Sequence, residues 1–226
     1  MRTRTRNTPG AAGGRTLKTD LFGAVRLLDD ASGQVVVRDT RSARGWLTWL
    51  AIALAGREAR ALQRLDGLPG TPRLLGFDRR ILRREWLPGQ PMQHARPGDA
   101  RYYRDALALL RRIHRAGVTH NDLAKETNWL VTDAGGPALV DFQLAVVHGR
   151  RGRLFRTLAR EDLRHLLKHK RTYRPQALTA RQRRILATPS PVSRAWMATG
   201  KRAYLFVTRR VLGWADREGA GDRPLP

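Results

Sequence analysis

Apolar residues alternate with polar ones near the start of the chain, a spacing that predicts β-strands. Residues 17–22 and 24–28 predict two strands that meet near Gly23, and the valine-rich residues 34–38 predict a third. Residues 44–65 then repeat leucine and alanine at the spacing of a helix. The first region is therefore predicted to hold several strands and one long helix.

Two short strands, near residues 73–77 and 80–86, complete this region before Leu87-Pro88-Gly89 interrupts the pattern. Helical spacing dominates afterwards, beginning with an amphipathic helix over residues 102–116 that Gly117 ends. The pattern thus predicts a strand-rich N-terminal part and a mainly helical C-terminal part. The remaining predicted elements are a hairpin over residues 129–132 and 138–140 and two helices, over residues 160–169 and after Thr179.

Charge is the feature of the composition that constrains function most. The 226 residues include 44 Lys+Arg against 19 Asp+Glu, which gives a formal net charge of +25. Such a chain is attracted to polyanions, so nucleic acid, an anionic membrane face and a phosphorylated substrate are all candidate partners. The chain has no cysteine, which excludes disulfides and thiolate metal sites.

The apolar stretches are too short for a membrane span. The most apolar run, residues 46–55, falls well below the roughly 20 residues that a spanning helix needs. The basic residues 1–6 are not followed by an apolar segment, so no secretory signal is expected. We therefore expect a cytoplasmic protein, either free or docked on the cytosolic face of the inner membrane.

One ordered constellation of polar residues carries chemistry. His120-Asn121-Asp122 precedes Asn128, the predicted hairpin follows, and Asp141-Phe142 comes directly after its second strand. Each short motif alone also occurs by chance in surface turns, whereas three in order, each beside an apolar strand, favour a functional site. The arrangement resembles the catalytic loop and metal-binding motif of protein kinases, H-R-D-x-x-x-x-N followed by D-F-G.

Phosphoryl transfer requires the residue types that this resemblance brings together. A carboxylate must face the acceptor hydroxyl, which makes Asp122 the candidate base. Asn128 and Asp141 supply hard oxygen ligands suited to Mg²⁺, and the hairpin between them brings both to one end of a short sheet. By resemblance, Lys125 would neutralise charge on the transferred phosphate, and His120 would be a structural residue that fixes the loop.

The same resemblance places the nucleotide-binding residues in the N-terminal part. Glu58 would be the helix glutamate that pairs with a strand-three lysine, although a solvated helix charge is an equal alternative. Arg38 stands where that lysine is expected, so either Arg38 or Lys18 of the first strand would take its role. Gly23 would remain from the Gly-rich loop, and Glu85 would open the hinge that holds adenine.

The segment after Asp141 runs quickly into Asp162 and resembles that of RIO-type kinases and of bacterial lipopolysaccharide kinases, which phosphorylate Kdo or heptose sugars. The resemblance implies an α+β, protein-kinase-like two-lobed fold, with a small antiparallel N-lobe sheet, one N-lobe helix and a mainly helical C-lobe. Asp162 would brace the catalytic loop. The expected divisions are a flexible basic arm (1–15), an N-lobe (16–88), a catalytic C-lobe (89–175) and a basic helical extension (176–226).

Three departures from the kinase pattern stand in this sequence. Five residues rather than four separate Asp122 from Asn128, Gln143 replaces the glycine of D-F-G, and Arg38 replaces the strand-three lysine. Arginine is a planar fork rather than a compact ammonium, so it would hold phosphate in a different way. The phosphate-anchoring half of the site is therefore expected to differ more from the kinase pattern than the metal-binding half.

The expected activity is transfer of the γ-phosphate of ATP, with Mg²⁺ as cofactor, to a hydroxyl of a protein Ser/Thr or of a lipopolysaccharide-type sugar. The alternative is a catalytically weak pseudokinase that acts as a basic RNA- or membrane-binding module. Retention of Asp122, Asn128 and Asp141 together favours the enzyme, and Arg38 favours the binding module.

Two aromatic and basic segments are candidates for a membrane contact. Near the C-terminus, apolar residues recur at helical spacing with lysines and arginines between them, which predicts a basic amphipathic helix. This helix would either lie on an anionic membrane or pack on the helical lobe. Trp46 and Trp49 are expected to pack against the sheet, with a second membrane contact as the alternative. The C-terminal positions are Trp196, Gly200, Tyr204, Val207, Val211 and Trp214.

Overall fold

The N-terminal part of the molecule is a five-stranded antiparallel sheet in the order β1-β2-β3-β5-β4. The structure, a computed structural model, describes residues 14–30 and 33–188. All five strands form close to their predicted positions, because alternation and the turn residues between strands are local signals. The strands are β1 (Gly14–Asp20), β2 (Gly23–Asp30), β3 (Gly33–Asp39), β4 (Leu74–Phe77) and β5 (Ile81–Glu85).

One long helix packs against this sheet. Two short 3₁₀ turns lead from β3 into α1 (Thr48–Arg64), whose buried residues include Ala51, Ala55 and Leu62. These residues recur at three- to four-residue spacing, so they share the face of the helix that meets the sheet. Glu58 lies on the same buried side, and the alternative that it is a solvated helix charge is therefore wrong.

The expectation that Trp46 and Trp49 pack against the sheet is also wrong. The two side chains are 58% and 68% exposed. Trp49 precedes Ala51 by two residues, which is roughly 200° around a helix, so burial of Ala51 turns Trp49 towards solvent. Both tryptophans therefore belong to the outer surface of the molecule.

The C-terminal part is mainly helical. Its short strands pair as β6-β8-β9 and as β7-β10, and buried side chains of α3 meet those of α1 in one core that crosses both parts of the molecule. The helices are α2 (Met92–Ala95), α3 (Ala100–Arg115), α4 (Arg153–Tyr173) and α5 (Ala180–Ala187). The strands are β6 (Gln90–Pro91), β7 (Val118–Thr119), β8 (Trp129–Val131), β9 (Pro137–Leu139) and β10 (Val146–Val147).

The helix ends follow residues that favour such positions. Gly117 lies just beyond α3 with a φ of +79°, a left-handed conformation that glycine adopts without strain. Thr179 begins α5 with a capping box. In contrast, α4 begins at Arg153 rather than within the predicted residues 160–169, because the buried side chain of Phe155 anchors its first turn.

Two predicted segments and one predicted boundary stay predictions. Residues 1–13 of the basic arm and the C-terminal helix over residues 196–214 lie outside the described residues. The lobe boundary after residue 88 stays a prediction, with the sheet ending at Glu85 and the helical part beginning at β6. Within residues 14–30 and 33–188, no helix combines the length and the apolar character that crossing a membrane requires.

Candidate active site

A buried carboxylate of α4 fixes the start of the catalytic loop. Asp162 is 1% exposed and accepts hydrogen bonds from the backbone N–H groups of His120 and Asn121, both at 2.9 Å. Its Oδ2 also lies 3.0 Å from Nε2 of His114 on α3. Three groups converge on one buried carboxylate and hold the loop against two helices, which is the bracing that the sequence predicted for Asp162.

His120 joins this loop to the segment that carries Asp141. Its Nε2 lies 3.0 Å from the carbonyl oxygen of Val140, so Nε2 carries the proton and donates the hydrogen bond. The ring packs against Phe142 with ring centroids 4.6 Å apart. His120 is fully buried and therefore occupies the place of a structural residue rather than of a group that meets the substrate.

Asp122, Lys125 and Asn128 meet at the end of the loop. The Oδ2 atom of Asp122 lies 3.0 Å from the Nζ of Lys125 and 3.0 Å from the side-chain nitrogen of Asn128. The same nitrogen donates to the backbone carbonyl of Asp122 at 2.8 Å. The structure thus brings the candidate base, one candidate metal ligand and the candidate phosphate-binding lysine into direct contact.

The loop from Asp122 to Asn128 ends in a 3₁₀ turn that α4 anchors. The turn spans Glu126–Asn128, and the Tyr173 hydroxyl donates to a Glu126 carboxylate oxygen at 2.5 Å. His169, one turn before Tyr173, donates through Nε2 to the carbonyl of Leu123 at 2.7 Å. Sequence reasoning missed this anchor, although two residues four apart share one face of a helix and could have indicated it.

Asp141 begins a tight turn shortly after β9. Its backbone is left-handed, with φ +64° and ψ +68°, and Gln143 donates to its carboxylate from Nε2 at 2.8 Å. Burial would raise the pKa of Asp141, but the nearby positive charges, first that of Arg38 and also that of Lys125, outweigh burial and set the pKa below its ordinary value. Asp141 is therefore ionised at neutral pH, the form that binds a cation, and Gln143 orients it.

A buried ion-pair cluster joins α1 to the sheet. Glu58 has no exposed surface, and its Oε2 lies 3.2 Å from the Nε of Arg38 on β3, while its Oε1 lies 3.2 Å from the Nε of Arg84 on β5. Both contacts are close ion pairs rather than aligned hydrogen bonds. The Nη2 of Arg38 lies 3.9 Å from Asp141 Oδ1, so the cluster reaches from the sheet to the Asp141 turn.

Arg84 is the residue of this cluster that sequence reasoning overlooked. In β5, Leu82 and Arg84 are buried on either side of the exposed Arg83, so strand alternation places Arg84 on the inner face. Burial lowers the pKa of Arg84, and the charge of Glu58 offsets part of that effect. A buried arginine requires a carboxylate partner. The position of Arg84 on the inner face of a predicted strand could therefore have indicated a pairing with a buried acidic residue.

Lys18 is not brought into the cluster. Its Nζ lies 3.3 Å from Asp20 on the same strand, and half of its side chain is exposed. Arg38 and Arg84 occupy both oxygens of Glu58. Of the two alternatives, Arg38 rather than Lys18 pairs with Glu58, because β1 is an edge strand and β2 separates it from β3.

Gly23 and Glu85 occupy a turn and a strand end. Gly23 has a φ of +125°, and a Cβ atom there would lie 2.2 Å from the carbonyl oxygen of Asp39, so the turn into β2 requires glycine. Glu85 ends β5 and accepts a hydrogen bond from the backbone N–H of Arg73 at 3.2 Å. The roles of Gly23 and Glu85 towards a nucleotide stay predictions.

The fold of the chain has a counterpart among solved kinase structures. The sequence matches no protein-family model and no curated protein. The structure is similar to the crystal structure of the Rio2 kinase from Chaetomium thermophilum in its ADP/Mg²⁺-phosphoaspartate complex. The two have 18% sequence identity and a TM-score of 0.54, and the match covers 86% of this chain and 68% of the kinase chain. The chain therefore has a protein-kinase-like α+β fold.

Proposed function

We propose that this chain is an ATP-dependent phosphotransferase that moves the γ-phosphate to a hydroxyl group. The observation that carries the proposal is the 3.9 Å contact between Arg38 and Asp141. This contact sets the Arg38–Glu58 pair of the sheet beside Asp141, whose neighbour Val140 donates a backbone hydrogen bond to Asn128. The proposed phosphate-binding residue Arg38 and the proposed metal ligands Asp141 and Asn128 would then lie in one site, as phosphoryl transfer requires.

Each residue of the site has a role in the proposed reaction. Asp122 accepts the proton of the acceptor hydroxyl as its oxygen attacks the γ-phosphorus, while the bond from phosphorus to the bridging oxygen breaks and ADP leaves. Lys125, 3.0 Å from Asp122, neutralises charge on the transferred group. Arg38 holds phosphate oxygens with its planar fork, and Glu58 positions Arg38.

Asp141 and Asn128 fit Mg²⁺ by the chemistry of their donor atoms. An ionised carboxylate and an amide oxygen are hard ligands, and about one third of the Asp141 side chain is exposed. In the described part of the chain, no group of three or more histidine, aspartate or glutamate side chains could hold a metal by itself. Mg²⁺ commonly completes its shell with water and substrate phosphates, whose charge it neutralises. The Rio2 structure contains ADP and Mg²⁺, which supports the same cofactors here.

Calorimetric titration with ATP, in the presence and absence of Mg²⁺, tests the nucleotide site. We expect wild type to bind ATP more tightly with Mg²⁺, and Asp141→Ala to lose that dependence because the ionised ligand is gone. Asp133→Ala is the matched control, since Asp133 is an exposed aspartate in the hairpin turn, at the end of the hairpin away from Asn128 and Asp141. It should bind ATP as wild type does.

Transfer from radiolabelled ATP tests the chemistry. Asp122→Ala should keep nucleotide binding but lower the transfer rate by about 10²- to 10⁴-fold, the usual contribution of a general base. The proposal fails if wild type and both active-site variants bind nucleotide equally without magnesium dependence and none transfers phosphate.

The acceptor and the location are further parts of the proposal. We propose a hydroxyl of a protein Ser/Thr or of a lipopolysaccharide-type sugar, since the net charge of +25 suits a phosphate-rich acceptor. Transfer assays with both acceptor classes distinguish them. We place the reaction in the cytoplasm, where ATP is available, with the cytosolic face of the inner membrane as the site for a glycolipid acceptor.

One observation favours the alternative of a pseudokinase that binds RNA or membrane. Both candidate carboxylates already have protein partners, Asp122 with Lys125 and Asp141 with Gln143 and Arg38. RNA binding with a steep salt dependence and no response to ATP would support that alternative.

A further inference from the structure

The outer face of α1 carries aromatic and basic side chains. Trp49, in the first turn of the helix, is 68% exposed, and Trp46, in the 3₁₀ turn just before it, is 58% exposed. Arg57, Arg60 and Arg64 are exposed on the same side of the helix as Trp49, because steps of three and four residues return a helix to one face. We call these five residues the α1 outer face. The acidic residue within α1 points inward and is fully buried, so no carboxylate of the helix neutralises this face.

Neighbouring groups extend the α1 outer face. Phe77 of β4 is 37% exposed and lies beside Gly56, close to the guanidinium of Arg60. Arg64, at the end of the face, donates from Nε to the backbone carbonyl of Ala116 at 2.9 Å. At about 1.5 Å per residue, the face is roughly 22 Å long from Trp49 to Arg64. It therefore carries both tryptophans at one end and the arginines, with Phe77 beside Arg60, towards the other.

The charge of the α1 outer face selects an anionic occupant. Residues 1–13 and 189–226 each contain more basic than acidic residues, so neither end of the chain is electrostatically suited to this face. A second copy of the chain would bring the same excess of positive charge. The occupant that complements the face is therefore a polyanion.

We propose that the α1 outer face docks on an anionic lipid surface. Tryptophan rings favour the interface between membrane and water, and arginines beside an anionic leaflet add electrostatic attraction. A single-stranded nucleic acid fits less well, because such sites interleave aromatic and basic side chains along a groove. Here the five residues lie on the outer side of one helix and the turn before it, with both tryptophans ahead of the three arginines along the chain.

Co-sedimentation of the full chain with lipid vesicles tests the proposal. The vesicles contain phosphatidylcholine alone or phosphatidylcholine mixed with phosphatidylglycerol. We expect wild type to bind the anionic vesicles and to dissociate at high salt. The Trp46→Ala/Trp49→Ala variant should bind about 10-fold more weakly or worse, since two rings no longer enter the interface. Arg57→Gln/Arg60→Gln should lose about 5-fold for each charge removed.

Control variants remove exposed apolar and basic side chains from other surfaces. Leu154→Ala removes an apolar side chain that is 64% exposed on α4. Arg101→Gln/Arg104→Gln removes two exposed charges on α3. Both controls should bind anionic vesicles as wild type does, and thermal unfolding midpoints establish which variants are folded. The tryptophan and arginine variants are independent, so a folding defect in one leaves the other decisive.

Three results would overturn the proposal. Wild type binding neutral and anionic vesicles equally would remove the lipid specificity. Binding by the α1 variants at the level of the controls would place the membrane contact elsewhere. Polyuridylate binding that the α1 variants lose, with vesicle binding intact, would assign the α1 outer face to nucleic acid instead.

Discussion

The substitution Glu58→Gln tests the buried ion-pair cluster that joins α1 to the sheet. Glu58 has no exposed surface, and Arg38 and Arg84 each lie 3.2 Å from one of its oxygens. Glutamine keeps the shape of the side chain but removes its charge. Two guanidinium groups then stay buried beside a neutral amide, with Asp141, 3.9 Å from Arg38, as a remaining partner.

The expected loss follows from the distances and the burial. At an effective dielectric constant of about 20, two unit charges 3.2 Å apart attract by about 5 kcal/mol before desolvation. Desolvation offsets much of that attraction, and removing one member of a buried pair typically costs about 3–5 kcal/mol. We expect a loss of that size in the free energy of unfolding. Single domains have about 5–15 kcal/mol in total, so the variant should be weakly stable.

Urea unfolding followed by far-UV circular dichroism measures this loss. Asp105→Asn is the matched control, because Asp105 also lies between two arginines, at 3.6 and 3.7 Å, but its side chain is 40% exposed. An exposed pair contributes little, so the control should lose less than about 1 kcal/mol. The reasoning is refuted if Glu58→Gln costs no more than this control.

A double variant separates the cluster from a general packing defect. In Glu58→Gln/Arg84→Met, one buried charge disappears together with the carboxylate that balanced it. The double variant should therefore lose less stability than the sum of the two single variants, with a coupling of about 1 kcal/mol or more. Strict additivity would mean that Glu58 and Arg84 act independently.

Three further substitutions test the catalytic loop, a buried histidine and the first turn of the sheet. Tyr173→Phe removes the 2.5 Å hydrogen bond to Glu126 and should slow phosphate transfer by up to about 100-fold with ATP affinity unchanged. Equal transfer rates for wild type and variant would contradict the role of Tyr173 as an anchor of the loop. Burial lowers the pKa of His165 from 6.5 to about 4, so the unfolded chain binds a proton at a higher pH than the folded chain does. The free energy of unfolding should therefore fall by up to about 3 kcal/mol as the pH drops from 6.5 to about 4. Urea titrations at several pH values should show a flatter profile for His165→Gln, and identical profiles would disprove the assignment. Gly23→Ala adds a Cβ atom 2.2 Å from a backbone oxygen and should lower the midpoint of thermal unfolding. Gly33→Ala is the control, because φ is also positive there but no atom lies within 4 Å of the added Cβ, so its midpoint should fall less. Equal midpoints for the two variants would refute the clash.

The elements of the fold were largely predictable because their signals are local. Alternation over residues 34–38 and helical spacing over residues 44–65 gave β3 and α1 with small errors at the ends. The same locality applies to the catalytic loop, because Asp122 and Asn128 are close in sequence and contact each other directly. Asp141 follows them after one hairpin, so a short connection fixes its place.

The phosphate-anchoring half of the site could not be predicted in the same way. Arg84 lies far from Arg38 in sequence and reaches Glu58 because β5, rather than β4, pairs with β3. In that pairing Val36 is opposite Arg84, which sets Arg38 and Arg84 on one face of adjacent strands. Strand order depends on the whole sheet, so no local pattern reports it.

The sequence by itself determined which segments form strands and helices and the residue types of the kinase-like motif, because periodicity, turn residues and short spacings act within a few residues. The tertiary structure decided which charges meet and which surfaces stay open. It paired Glu58 with two arginines, left Lys18 beside Asp20 and turned Trp46 and Trp49 to solvent. These outcomes depend on strand order and helix rotation, which arise from packing between segments that are distant in the chain.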